Sequence, residues 1–403
     1  MPVFQARWVL PISQPPIRDG WVQVEGGKIV AVDGPMDQSD EPVERSSDEP
    51  MARCAILPGL VNAHTHLELS WMRGQISPAP SMPTWVERLM ALRRTVGHEP
   101  SEPIRDAILE ARAAGTTLVG DITNTLAAYE PLALSGLSAA IFRELLGFNV
   151  IDSAAVVAQA QAQIDALPPS ARLRSSIVPH APYSVSPALL REIARAASGD
   201  ARISIHLGES AEEVEFLQTG RGRWQTLLTG LGVWSDAWVA PGSSPVDYIE
   251  QHGLLNERLL AVHCVQLEAA DLGKLAGAGA TVVACPRSNR WTGAGVPPIE
   301  RFYRSGVRVA VGTDSLGSVE DLNVFGELAL MRQLAPAVPA RALLESATKQ
   351  GADALGFGDQ LGTIAPGKRA ELIAVRLPEG IADVEEYLVS GVQPHDIRWL
   401  DAD

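Results

Sequence analysis

The chain has 403 residues, 46% of them apolar and 20% charged, a composition that fits one large globular domain and a smaller one. Its net charge is −15, from 33 basic and 48 acidic side chains, and no Lys/Arg run appears, which excludes the electrostatic footprint of a nucleic-acid binder. The start, Met1-Pro2-Val3-Phe4-Gln5-Ala6-Arg7, has no basic flank before a long apolar core, and no uninterrupted run of about 18 apolar residues exists to span a bilayer. A protein with no signal peptide and no membrane partner, located in the cytoplasm, is expected. Cys54, Cys264 and Cys285 are far apart, odd in number and set in apolar runs, so they read as reduced packing residues. No CxxC pair offers a thiolate metal site.

In chain order, Trp21-Val22-Gln23-Val24 and Ile29-Val30-Ala31-Val32 flank Gly26-Gly27 and predict a hairpin. Apolar runs of strand length follow at Ala55 to Ala63, Thr117 to Ile122, Ser138 to Glu144, Arg174 to Pro179, Arg202 to Leu207, Leu259 to Cys264, Ala280 to Cys285 and Val307 to Gly312. Most are followed by a stretch of helical periodicity, such as Leu189, Leu190, Ile193 and Ala194 within Ser186 to Ala197. Eight strand–helix units match the count of a (β/α)8 TIM barrel, an α/β fold; a doubly wound sheet gives the same alternation, usually with fewer strands. Near the end, Gly362 to Lys368 and Ala370 to Val375 read as two more strands. The expected division is therefore 1–54 and 361–403 as the two parts of a small composite β-sandwich, with residues 55–360 as the barrel.

Five of the eight histidines (His64, His66, His180, His206 and His263) stand at or just past the ends of these runs, and Asp314 stands past the eighth. In a barrel all those ends converge on one mouth. His64 and His66 are two apart on an extended segment, so their rings share a side and can chelate one divalent ion. His206 offers a third nitrogen and Asp314 a carboxylate, a mixed site that keeps a position for water. An HxH pair alone is a weak signal; following Leu57-Pro58-Gly59-Leu60-Val61 and joined by the other strand-end groups, it becomes a strong one. Glu209, three residues after His206, is read as a proton shuttle and not as a solvated first-turn acid. His263 either orients the attacking water, with Asp314 as partner, or is a buried structural histidine; His180 is either a substrate donor, the preferred reading, or a satisfied structural residue. His98, His252 and His395 are given no role. Trp71 and Trp85 are expected in a loop over the mouth, where a ring can stack on a planar base.

These residues together resemble the amidohydrolase superfamily, in its cytosine-deaminase-like and chlorohydrolase-like branch. The matching segments are Pro58 to His66, Pro179 to Pro187, His206-Leu207-Gly208-Glu209-Ser210, Val262-His263-Cys264, Cys285-Pro286-Arg287-Ser288-Asn289 and Gly312-Thr313-Asp314-Ser315, with the tail from Leu361 to Ile373. The resemblance implies that His64, His66, His206 and Asp314 bind the metal, that Glu209, His263 and Asp314 are catalytic, and that Ser315 joins His180, Trp71, Trp85 and Arg143 around the substrate. One ion is expected, Zn2+ before Fe2+ or Mn2+, because two-metal members commonly use a barrel lysine, and Lys28, Lys274, Lys349 and Lys368 stand at no predicted strand end. The implied reaction is hydrolytic deamination of an aminopurine nucleoside or related amino-heterocycle. Thr84 stands before Trp85, where members acting on S-adenosylhomocysteine and methylthioadenosine usually carry Glu, so the aminodeoxyfutalosine deaminases are the preferred neighbours. Arg73, Arg88 or Arg143 is then expected at that substrate's benzoate. Free-base deamination, chlorohydrolysis and cyclic-amide hydrolysis share the same ligands; a non-catalytic barrel is the last alternative. Beyond the small heterocyclic substrate, the one partner allowed for is a second copy, in a homodimer.

Overall fold

The computed structural model describes residues 1–35, 49–96, 100–197 and 199–400; His98 lies outside them. Eight strands run along the middle of the chain: β1 (Leu60–Thr65), β2 (Thr116–Thr123), β3 (Ser138–Leu145), β4 (Leu173–Pro179), β5 (Ile203–Leu207), β6 (Leu259–His263), β7 (Thr281–Ala284) and β8 (Arg308–Val311). They pair in parallel as two sheets, β1 to β4 and β5 to β8. At the C-terminal ends the two seams close. The His206 N–H donates to the His180 carbonyl at 3.0 Å, and the N–H groups of Thr313 and Asp314 donate to the His64 carbonyl at 3.1 and 3.0 Å. Side chains alternate as a covered parallel sheet requires. Val61, Val178, Val262, Val283 and Ala310 fill the barrel, while their neighbours Leu60, Ile177, Ala261, Val282 and Val309 pack outward. The fold is the expected (β/α)8 barrel with a separate small sheet unit.

The run Ala55 to Ala63, read from sequence as one strand, is two. Cys54–Pro58 pairs antiparallel with Leu372–Arg376 and parallel with Trp8–Val9, and only after Gly59 does the chain enter the barrel as β1. A Cβ on Gly59 would stand 2.7 Å from Thr117 Cβ, so the crossing needs a residue without a side chain. The handover falls inside the span expected to belong to the barrel.

Both termini build the small unit. A three-stranded sheet (Val3–Gln5, Trp21–Glu25, Lys28–Asp33) faces a five-stranded one containing Trp8–Val9, Cys54–Pro58, Leu372–Arg376 and Ile397–Leu400. Phe4, Val22, Val24 and Ile29 of the first meet Val9, Ile56, Leu372 and Leu400 of the second in one apolar layer. Gly26 and Gly27, at φ of 56° and 72°, make the expected hairpin turn. Gly362 to Lys368 forms no strand; Gly362 and Gly367 take φ of 85° and 88°, which break an extended run. Among the described residues no helix is long and apolar enough to cross a membrane.

Candidate active site

His64 and His66 enter the mouth from the end of β1. Val61 and Ala63 already belong to the barrel interior, so strict alternation would turn His64 away from it. Pairing with β2 slips between Asn62 and Thr65, breaking the alternation just before the two histidines. Gly312 clears the space, since a Cβ there would stand 2.7 Å from His64 Cβ. The His64 ring centroid lies 5.0 Å from those of His66 and His206 and 5.5 Å from that of His263. His206 Nε2 lies 3.4 Å from His66 Nε2, and its Nδ1 faces the His180 carbonyl at 2.8 Å, which fixes the tautomer that presents Nε2. Asp314 Oδ1 lies 3.4 Å from His66 Nε2 and 3.9 Å from His64 Nε2. Its other oxygen accepts from Ser288 and Ser318, and its backbone takes the left-handed conformation at φ 64°. His263 is left-handed as well, at φ 72°. Non-glycine residues hold such angles where the surroundings over-determine them, commonly at functional sites.

Donor atoms of His64, His66 and His206 lie within 4.8 Å of one another. Burial lowers the His64 pKa well below its ordinary value, takes His66 to about 3 and His206 to about 4, with neighbouring histidines adding to the shift. The imidazoles are therefore neutral, with lone pairs available. Both His64 ring nitrogens are buried without a hydrogen-bond partner, an arrangement that costs free energy unless something else binds them. The donor set fits a divalent cation. Of the four lysines, Lys274 and Lys349 pair with Asp247 and Asp353, Lys368 donates to backbone carbonyls and Lys28 is exposed; none reaches the mouth.

Glu209 follows β5 through Gly208. Its Oε1 lies 3.6 Å from His263 Nε2 and its Oε2 is buried without a partner. Burial, with the Asp314 and Glu213 carboxylates nearby, pushes its pKa well above the usual carboxylate value. Two groups that received no role from sequence position these residues. Glu213 accepts from the N–H groups of Gly208 and Glu209 at 2.9 and 3.0 Å, while Ser210 caps the helix Ala211–Thr219. The Ser-x-x-Glu capping signature was the available signal. Asn289 places its amide 3.0 Å from His263 Nδ1, and nothing in the spacing of the Pro286–Thr292 segment foretells that contact.

A cavity of about 410 Å3 opens onto these groups. His180, Trp85 and Ser315 line it, together with His66, His206, Glu209, His263 and Asp314. Two expected substrate contacts do not. Trp71 lies in the 3-10 helix Leu67–Met72, packed with Met72 and Ile76, and Leu69 reaches the cavity in its place. Arg143 turns away to bond Gln163 and the Glu144 carbonyl, whereas Glu144, the next residue on β3, faces the cavity. Alternation along a strand decides between such neighbours. Arg73 pairs with Glu110, and Arg88 donates to the Ser77 and Pro78 carbonyls. Of the arginines, it is Arg93 that lines the cavity among the described residues.

Comparison with known proteins agrees with this architecture. The amidohydrolase family model matches residues 55–393. A 5-methylthioadenosine/S-adenosylhomocysteine deaminase of Desulforudis audaxviator is 30% identical, covering 95% of this chain and 91% of the relative. An aminodeoxyfutalosine deaminase of Deinococcus radiodurans is 32% identical, covering 82% and 80%. The crystal structure of a zinc-bound adenosine deaminase from Xanthomonas campestris superposes with a TM-score of 0.81 at 28% identity, covering 98% and 90%. With the matched span taking in the barrel and the whole histidine–aspartate mouth, the chain belongs to the amidohydrolase family.

Proposed function

We propose that this enzyme is a zinc-dependent deaminase of an aminopurine nucleoside, with 6-aminodeoxyfutalosine the favoured substrate. The observation that carries the reading is Glu209: a buried carboxyl 3.6 Å from His263 Nε2, its pKa raised by burial, within the mouth that also holds His64, His66, His206 and Asp314. His64, His66, His206 and Asp314 would hold the single ion. When bound, such an ion lowers the pKa of water toward neutrality. Water adds to the ring carbon that bears the amino group, with His263 and Asp314 orienting it. Glu209 carries the proton to the adjacent ring nitrogen. The proton of the added hydroxyl then passes through Asp314 to the amino group, the carbon–nitrogen bond breaks, ammonia leaves and a ring carbonyl remains. Trp85 offers a face for the base. His180, neutral because burial takes it to about 4 and tied at Nδ1 to Ser184 Oγ at 2.6 Å, keeps Nε2 for the substrate. The names of the relatives support a nucleoside over other amidines.

The test is ammonia release by zinc-loaded protein from aminopurine nucleosides, free amino bases, aminotriazines and cyclic amides. Release from nucleosides, with 6-aminodeoxyfutalosine giving the highest kcat/KM, is expected. Turnover confined to free bases or triazines would move the assignment to that side of the branch, and turnover of cyclic amides alone would end the deaminase reading.

A further inference from the structure

At the foot of the barrel, the end away from the histidines, a second cavity of about 400 Å3 opens where β4 and β5 begin. Ala140 and Phe142 of β3 and Leu355 give it apolar lining; Arg174, Ser175, Asp200 and Arg202 give it polar lining. No residue lines both this cavity and the catalytic one among the described residues. The strand register explains why two arginines meet there. Arg174 pairs with Ala140 and Ser176 with Phe142, and both β3 residues belong to the barrel interior, so Arg174 points inward as they do. β4 and β5 form no ladder, and at the foot the Ser176 hydroxyl holds the seam by donating to the Arg202 carbonyl at 2.8 Å. The open seam leaves the space that the cavity occupies.

Four guanidinium groups act on one another here, and three have acceptors. Arg174 lies over the Phe357 ring at 4.3 Å and donates to the Gly356 carbonyl. Arg258 donates to the Ala197 and Gly199 carbonyls at 3.0 and 2.9 Å, and Arg308 to the Glu257 carbonyl at 3.3 Å. The Nε of Arg202 is buried without a hydrogen-bond partner. Burial lowers the Arg202 pKa, and the charges of Arg308, Arg174 and Arg258 add to that while Asp200 opposes it. Arg174 and Arg202 also converge in space. A Cβ on Gly356, which sits at φ 81°, would stand 3.0 Å from Arg174 Nη1 and 3.2 Å from Arg202 Nε. Like charges brought together beside apolar side chains repel strongly, and one exposed acid does not balance them. In a chain of net charge −15 such a cluster stands out as a local site for an anion.

We propose that the foot of the barrel is a binding site for the phosphate group of a small molecule, gripped between Arg174 and Arg202. A phosphate carries roughly 1.5 to 2 negative charges at neutral pH and several acceptor oxygens, enough for two guanidinium forks, whereas a carboxylate suits one. The Ser175 hydroxyl offers a further donor at the rim. The cavity lies within the range of roughly 300–1,000 Å3 that holds small ligands, and Phe142 and Leu355 suit the apolar body of a phosphate monoester. The site does not depend on the deaminase reading.

The experiment is calorimetric titration of the purified full chain, in low-salt buffer free of phosphate, with phenyl phosphate, inorganic phosphate and benzoate. Phenyl phosphate is expected to bind more tightly than benzoate, and its affinity should fall as salt rises. Arg202→Met should weaken that binding by roughly tenfold or more. Asp200→Asn, a change at an exposed residue, should tighten it by about two- to fivefold, an effect that phosphate held elsewhere in the molecule would not show. Inorganic phosphate bound as tightly as phenyl phosphate, and lost equally in Arg202→Met, supports the site with free phosphate as its ligand; weaker binding of the inorganic ion assigns a monoester. Absence of binding to the wild type, equal affinity for benzoate, or affinities unchanged in both variants overturns the proposal. Should Arg202→Met fail to fold, Asp200→Asn and a crystal soaked in tungstate decide it: anomalous density between Arg174 and Arg202 supports the site, and its absence there refutes it.

Discussion

A carboxyl sealed from water and set near two others gives up its proton reluctantly, and Glu209 meets both conditions: it is 1% exposed, with Asp314 and Glu213 nearby. An acid that holds its proton more tightly is suited to carry one to a ring nitrogen, the role proposed for Glu209. Glu209→Gln keeps the shape and removes the proton transfer, so kcat is expected to fall by about a hundredfold or more. Zinc content, measured by atomic absorption, should be unchanged, because Glu209 is not among the proposed ligands. A variant that retains turnover would remove Glu209 from the mechanism; one that loses zinc would make it a structural support of the metal site. The same scale explains the misplaced contacts. Arg143 and Glu144 are neighbours on β3, and only the pleat of the strand settles that the acid, not the base, meets the cavity.

At the scale of elements, the turn after β5 is built to hold Glu209 still. Gly208 takes φ of 57°, and any Cβ on it would stand 2.4 Å from Leu267, so the chain there can turn only one way. Glu213 then binds two successive backbone N–H groups from the first turn of the next helix, at 0% exposure. Replacing Glu213 by Ala would leave both N–H groups buried without acceptors, a loss of about 1–3 kcal/mol for each. The expected result is a lower Tm in calorimetry together with a fall in kcat larger than any rise in KM, since Glu209, the proposed shuttle, is loosened more than the substrate walls. An unchanged kcat at lowered Tm would confine Glu213 to stability. After β2 a second device works alike. Glu68, buried, accepts from Thr123, Asn124 and Thr125 and pins the loop that brings Asn124 to Glu144.

For the whole molecule, the two seams of the barrel are where the candidate ligands stand. His64 on β1 and His66 just past it meet Asp314 beyond β8 at one seam, and His206 on β5 meets His180 beyond β4 at the other. An ion held by the proposed ligands His64, His66, His206 and Asp314 would therefore link the two half-sheets, and its binding to the closed barrel would stabilise it by mass action. At a thousandfold excess over Kd that is about 4 kcal/mol. Chelator-treated protein is expected to unfold several degrees lower, and one equivalent of zinc should restore the original Tm. Identical scans before and after chelation, with zinc loss verified, would show that the site does not bridge the seams.

By itself the sequence determined what short-range physics dictates. Hydrophobic periodicity gave eight strand–helix units, and a barrel topology sends every strand end to one mouth, so His64, His66, His206, His263, Asp314 and Glu209 could be grouped before any contact was known. Only tertiary structure decided what depends on distant neighbours. Cys54–Pro58 left the barrel because its partner strand, Leu372–Arg376, arrives from the other end of the chain. Trp71 turned into its own apolar cluster and Leu69 took its place, because the mouth loop winds as a 3-10 helix and not as an open lid. Arg93 lines the cavity, whereas Arg73, Arg88 and Arg143 bond to Glu110, to the Ser77 and Pro78 carbonyls, and to Gln163 and the Glu144 carbonyl, and no local pattern records where such acceptors will stand. Ligand chemistry follows strand ends, which are local; cavity lining follows where each long side chain finds its partners, which only the assembled barrel can settle.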